Sequence, residues 1–86
     1  MFGDKLRSER KRQNLTVQEL ANLCVVSRSY ITLIENNTRA PGKNMISKLS
    51  NALNLDIVIV IDWYLEDIRK AFLNKSVKVS KKDSGR

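Results

Sequence analysis

Histidine is absent from this chain and cysteine occurs once, as Cys24. A disulfide framework within one chain is therefore excluded, and so is a zinc cluster built from cysteine and histidine. No metal and no cofactor is expected. A single thiol fits a reducing cytoplasm. Long apolar runs are missing too. The longest, Ile57 to Ile61, is far too short to span a bilayer, so no membrane partner is expected. The start of the chain is charged from Asp4 to Arg12, unlike a signal peptide. Catalysis lacks its usual materials: there is no histidine and no glycine loop to cradle phosphate. The chain is not expected to be an enzyme.

What is present is basic. Sixteen Lys and Arg stand against nine Asp and Glu, a formal net charge of +7 over 86 residues. That length makes one domain with a small core. That charge favours a polyanionic partner. RNA is disfavoured, because no exposed aromatic platform falls in the basic region.

Leu15 to Ile34 are the most informative residues. Leu20, Ala21 and Cys24 fall on one helical face, and Ile31 and Ile34 on another after a brief break at Val25-Val26. Thr16 is placed to cap the first segment, with Glu19 as its capping-box partner. Ser27 is placed to cap the second. Two capped helices with almost no loop between them cross steeply. That is a helix-turn-helix, the arrangement that lays its second helix in the DNA major groove.

The rest of the chain supplies a frame. A first helix is expected from about Gly3 to Gln13, with Phe2, Leu6 and Arg10 inward and Lys5, Arg7, Lys11 and Arg12 on a basic rim. Asn14 ends it, since asparagine tolerates the left-handed conformation. Asn36-Asn37 stops the third helix, and Pro41 breaks the loop that follows. A fourth helix is expected from Lys43 to Leu53, with Met45, Ile46, Leu49, Ala52 and Leu53 as its buried stripe.

Residues 57–61 admit two readings. Their β-branched side chains favour a short strand. Their spacing favours a helix, because Val58, Ile61, Leu65, Ile68 and Phe72 step by three, four, three and four, the seam of a coiled coil. We take a fifth helix from Ile57 to Leu73, capped by Asp56. Ile59, Val60, Trp63 and Tyr64 look surplus for one small core, which suggests a second copy of the chain. The interface would use Ile57, Ile61, Trp63, Tyr64, Leu65 and Ile68. The expected organisation is an all-α helix-turn-helix domain at 1–55, a dimerisation segment packed on it at 56–73 and a flexible basic tail at 74–86.

These residues resemble the Cro/CI-type (XRE) helix-turn-helix family of phage and bacterial regulators. The resemblance covers Leu6 to about Leu55. It is carried by Leu6-Arg7 with Arg10, by Leu15-Thr16 with Glu19-Leu20-Ala21, and by Val26-Ser27-Arg28-Ser29-Tyr30-Ile31 with Ile34-Glu35. Pro41 and Leu49 with Ala52-Leu53 complete it. The short helical extension is similar to restriction–modification controller proteins. The resemblance implies a compact five-helix, lambda-repressor-like domain with a C-terminal dimerisation helix. It also implies a bacterial, phage or plasmid origin and a cytoplasmic location. Arg10 and Glu35 correspond to an ion pair between the first and third helices. Two positions depart from the family pattern. Val17 stands where glutamine is usual, with Gln18 next to it. Val25 stands where the turn usually has glycine, so the turn either takes another geometry or is strained.

On this frame, Ser27, Arg28, Ser29 and Thr32 are the expected base readers. Arg28 has the best chemistry, since its fork matches guanine O6 and N7; its plainer role is a phosphate contact. Gln18, Tyr30, Asn36, Thr38, Arg39 and Lys43 are the expected phosphate contacts, and Tyr30 can equally be structural. Cys24 reads as core. The expected function is a sequence-specific transcription regulator, a repressor binding double-stranded DNA at a palindromic operator as a homodimer. The alternative is an antitoxin-type protein that binds a toxin as its protein partner and autoregulates through DNA.

Overall fold

A computed structural model describes residues 1–84, with side-chain surroundings as far as Asn74. Its elements are α1 (Phe2–Arg12), α2 (Val17–Cys24), α3 (Arg28–Glu35), α4 (Lys43–Ala52) and α5 (Ile57–Ser84). The fold is all-α. No helix among the described residues is long and apolar enough to cross a membrane.

Local chemistry sets the helix ends. Thr16 Oγ1 accepts the Glu19 N–H at 3.0 Å, and the Glu19 carboxylate accepts the Thr16 N–H at 2.7 Å. This reciprocal box satisfies two amides that the helix cannot. Ser27 Oγ accepts the Tyr30 N–H at 3.1 Å and starts α3 in the same way. Asn14, Asn37 and Asn54 close α1, α3 and α4 with φ of 60°, 60° and 54°. Asparagine visits this region more readily than other side-chain-bearing residues. Val25 does so as well, at φ 57° and ψ 47°, and it is 83% exposed. The tight corner between α2 and α3 therefore takes the left-handed geometry that glycine usually supplies. Val25 bears the strain, and its side chain gains no burial in return.

The core sits where all five helices meet. Leu6, Leu20, Ile31, Ile34, Leu49 and Leu53 are almost wholly buried, and α5 adds Val60. Residues 57–61 are helical, so the strand alternative is wrong. Asp56 Oδ1 accepts the Val58 N–H at 3.0 Å at the start of α5. Helical spacing then drives Val60 into the core, and that packing outweighs β propensity.

The surplus apolar surface lies partly where it was expected: Ile57, Ile59, Leu65 and Ile68 are exposed. Val60 is fully buried. Trp63 meets the ring of Phe2 edge to face, with centroids 5.8 Å apart, and Tyr64 packs beside it on the same core. Both aromatics are half-buried on their own domain, because a helix turns Trp63 toward α1 and Tyr64 toward Pro41 and the start of α4. The seam residues Val58 and Phe72 are exposed as well, in line with Leu65 and Ile68. The backbone of α5 also continues past Leu73 to Ser84. No glycine or proline interrupts it before Gly85, so the sequence holds no stop signal there. The side chains of the basic segment after Asn74 lie outside the described residues.

Candidate nucleic-acid interface

Helix α3 is held from behind. The Arg10 guanidinium donates from Nε and Nη2 to the two carboxylate oxygens of Glu35, at 2.6 and 3.0 Å, and from Nη1 to the Leu15 carbonyl at 2.8 Å. Both side chains are almost fully buried. The Glu35 hydrogen bond raises the Arg10 pKa further, so this cation stays charged. Arg7 adds a second hold on the same helix end. Its Nη2 donates to the Glu35 carbonyl at 3.2 Å and to Asn36 Oδ1 at 2.9 Å.

The N-terminus of α1 reaches the same place. Gly3 N–H donates to Asn37 Oδ1 at 2.8 Å, and its missing side chain lets the backbone lie against the carbonyls of Ile34 and Glu35. The neighbouring Phe2 N–H donates to Asp67 of α5 at 2.7 Å. Sequence reasoning missed Gly3. Its only signal was a glycine inside an otherwise good helix pattern.

With Ile31, Ile34 and Glu35 turned inward, the opposite face of α3 is open. Arg28, Ser29 and Thr32 are all exposed there, with Asn36 further along and Leu33 at the edge. Ser27 is exposed at the tip. Its hydroxyl oxygen serves the cap, so what it offers a base is its O–H as donor.

The expected phosphate contacts fall on two sides. On one side, Gln18 is exposed at the start of α2 but donates to Asn22 Oδ1 at 2.9 Å. Val17 is half-buried against the core, so it cannot act as the usual glutamine does. On the other side, Thr38, Arg39 and Lys43 are exposed. Tyr30 is half-buried, and the Arg39 guanidinium stacks over its ring at 5.2 Å from the centroid. This contact holds Arg39 in place. Gly42 begins α4 without a side-chain cap, which leaves the first amides of that helix available to an anion. They open on a notch of about 280 Å³ lined by Tyr30, Gly42, Lys43, Asn44 and Lys48. Lys48 was not anticipated. It lies one helical turn and a residue beyond Lys43, and both side chains border the same notch.

Cys24 is buried, its Sγ 3.8 Å from the Lys48 carbonyl, and burial pushes its thiol pKa up. It is therefore a core residue. Among the described residues no cluster of His, Cys, Asp or Glu is placed to hold a metal ion.

A capped helix, exposed on one face and flanked by the cationic start of α4, defines a helix-turn-helix DNA-binding domain. The helix-turn-helix family profile matches residues 6–60. The chain belongs to this family, the XRE-type regulators of transcription. It is 36% identical over 73 residues to the HTH-type transcriptional repressor RghR of Bacillus subtilis, covering 81% of this chain and 54% of RghR. It is 34% identical over 64 residues to the control protein C.BamHI of Bacillus amyloliquefaciens, covering 73% of this chain and 79% of that one. The biofilm master regulator SinR, solved in complex with DNA, superposes with a TM-score of 0.66 at 27% identity, covering 71% of this chain and 98% of that structure. The chain spans about half the length of RghR and of ClgR from Mycobacterium tuberculosis.

Proposed function

We propose that the chain is a sequence-specific DNA-binding transcription regulator that binds a two-fold operator as a homodimer and represses. The observation that carries this reading is the open face of α3. Arg28, Ser29 and Thr32 stand together on a helix braced by Arg10 and Glu35, with Lys43 and Lys48 beside its first turn. Arg28 reads guanine, and Ser29 and Thr32 read neighbouring base edges. Arg39, Lys43 and the first amides of α4 take phosphates and set the register. The stripe of exposed apolar residues on α5 supports pairing with a second copy. Half-sites then lie about one helical turn apart. RghR is a repressor by name and SinR has been solved on DNA, which agrees with this reading. Repression needs only occupancy of a promoter, and a small dimer supplies that.

Selection from a pool of random duplexes tests the reading. Enrichment of a palindrome, bound by two chains, supports it. Recovery of unrelated sequences with equal affinity would overturn it.

A further inference from the structure

The outward side of α5 is more specific than a bare apolar stripe. Val58, Leu65, Ile68 and Phe72 run down it at heptad spacing, with Ile61 half-buried at its edge, and Phe72 is 68% exposed. An open groove of about 670 Å³ follows the stripe, walled on one side by Asp62 and Arg69. The two flanks differ. One carries Asp62 and, a heptad later, Arg69, both exposed. The other carries Tyr64 and Ala71 and turns toward Pro41 and Arg39. Lys5 of α1 and Glu66 line the same groove beyond Asp62 and Arg69, and they neutralise each other at 3.0 Å.

We propose that the groove is filled by α5 of a second copy running antiparallel, with Asp62 set against Arg69 of the partner subunit. This rests on the dimer reading above and fixes its direction. In an antiparallel helix pair each flank faces the same flank of the other helix. The two-fold axis then passes beside Leu65 and Glu66, midway between Asp62 and Arg69, and symmetry forms the charge pair twice. Val58 and Ile61 lie over Ile68 and Phe72 of the partner subunit. A parallel, in-register pair sets the charged flank against the uncharged one. Asp62 and Arg69 then find Ile57, Tyr64 and Ala71 opposite, and no charge is matched.

Sedimentation equilibrium of the full chain tests this, with Asp62→Lys, Arg69→Glu, an equimolar mixture of the two, and Leu65→Asp, each checked for helicity by circular dichroism. Each charge reversal places like charges at both contacts and is expected to weaken the dimer about tenfold. The mixture is expected to regain wild-type affinity, because the heterodimer has opposite charges at both contacts. If Leu65→Asp dissociates the dimer while the charge variants pair as tightly as wild type, or the mixture regains nothing, the antiparallel pairing is wrong and the dimer reading stands. A wild-type chain that stays monomeric overturns both.

Discussion

Arg10 and Glu35 join α1 to α3 through two parallel hydrogen bonds of 2.6 and 3.0 Å, and both are almost fully buried. A fork of this kind is geometrically selective as well as strong. Removing one partner leaves the other charged and unpaired in the interior. Glu35→Ala is therefore expected to cost about 3–5 kcal/mol in urea melts. It is expected to lower DNA affinity only in proportion to the folded fraction, with sequence preference unchanged. A variant as stable as wild type would show that solvent reaches the pair.

Val25 makes the opposite prediction. Its left-handed backbone costs about 1–2 kcal/mol for a side-chain-bearing residue, and its exposed side chain offsets none of that. Glycine loses more freedom on folding, which takes back part of the gain. Val25→Gly is expected to raise stability by about 1 kcal/mol, seen as a higher urea midpoint with unchanged slope.

Gly3 tolerates nothing larger. A Cβ there would lie 2.5 Å from the Glu35 carbonyl and 2.7 Å from Asn37 Oδ1. Backbone oxygens cannot swing aside as side chains do. Gly3→Ala is expected to destabilise by about 1–3 kcal/mol, although alanine is the better helix former. Thermal melts decide it.

The interface residues divide by readout. Arg28→Ala is expected to cost about 1–3 kcal/mol on the selected operator and to relax preference at one base pair per half-site. Lys43→Ala and Lys48→Ala are expected to weaken all duplexes alike and to lower the salt slope by about 1 for each phosphate left without its ammonium partner. Titrations of operator and scrambled duplex at several salt concentrations separate the two patterns.

Acid sensitivity has two named sources. Hydrogen bonds from Arg12 and then Gln13 hold the Glu9 carboxyl below its ordinary value of 4.5. A hydrogen bond from Lys5 does the same for Glu66. A depressed folded pKa gives stability that is present above the unfolded value and lost as pH falls through the folded one. The melting temperature is expected to decline below about pH 4.5, less steeply at high salt, and Glu9→Gln is expected to flatten the decline.

Most of the fold was legible in the sequence. Thr16, Ser27 and Asp56 mark helix starts through side-chain chemistry that acts within three residues, and such signals survive without tertiary knowledge. The inward positions of α1 to α4 follow from period alone. At 57–61 propensity and period disagreed, and period prevailed because Val60 had a core to enter. The outward positions of α3 were likewise readable as the complement of Ile31 and Ile34. What the sequence concealed depends on close approach between distant segments. Gly3 against α3, Lys48 beside Lys43 at the notch, and Trp63 on Phe2 need the packed arrangement before their roles exist.

Two consecutive amides at the start of α1 are tied to different helices. Phe2 N–H is held by Asp67 on α5, and Gly3 N–H by Asn37 at the exit of α3. The chain's second and third residues thus act as a pin through both helices. For a dimer built on α5, that pin sets the angle between the subunit axis and the reading helix. Such a protein measures distance along DNA as well as sequence. Inserting a single base pair between half-sites would ask the pin to shear, and a rigid ruler would sooner release one half-site than bend.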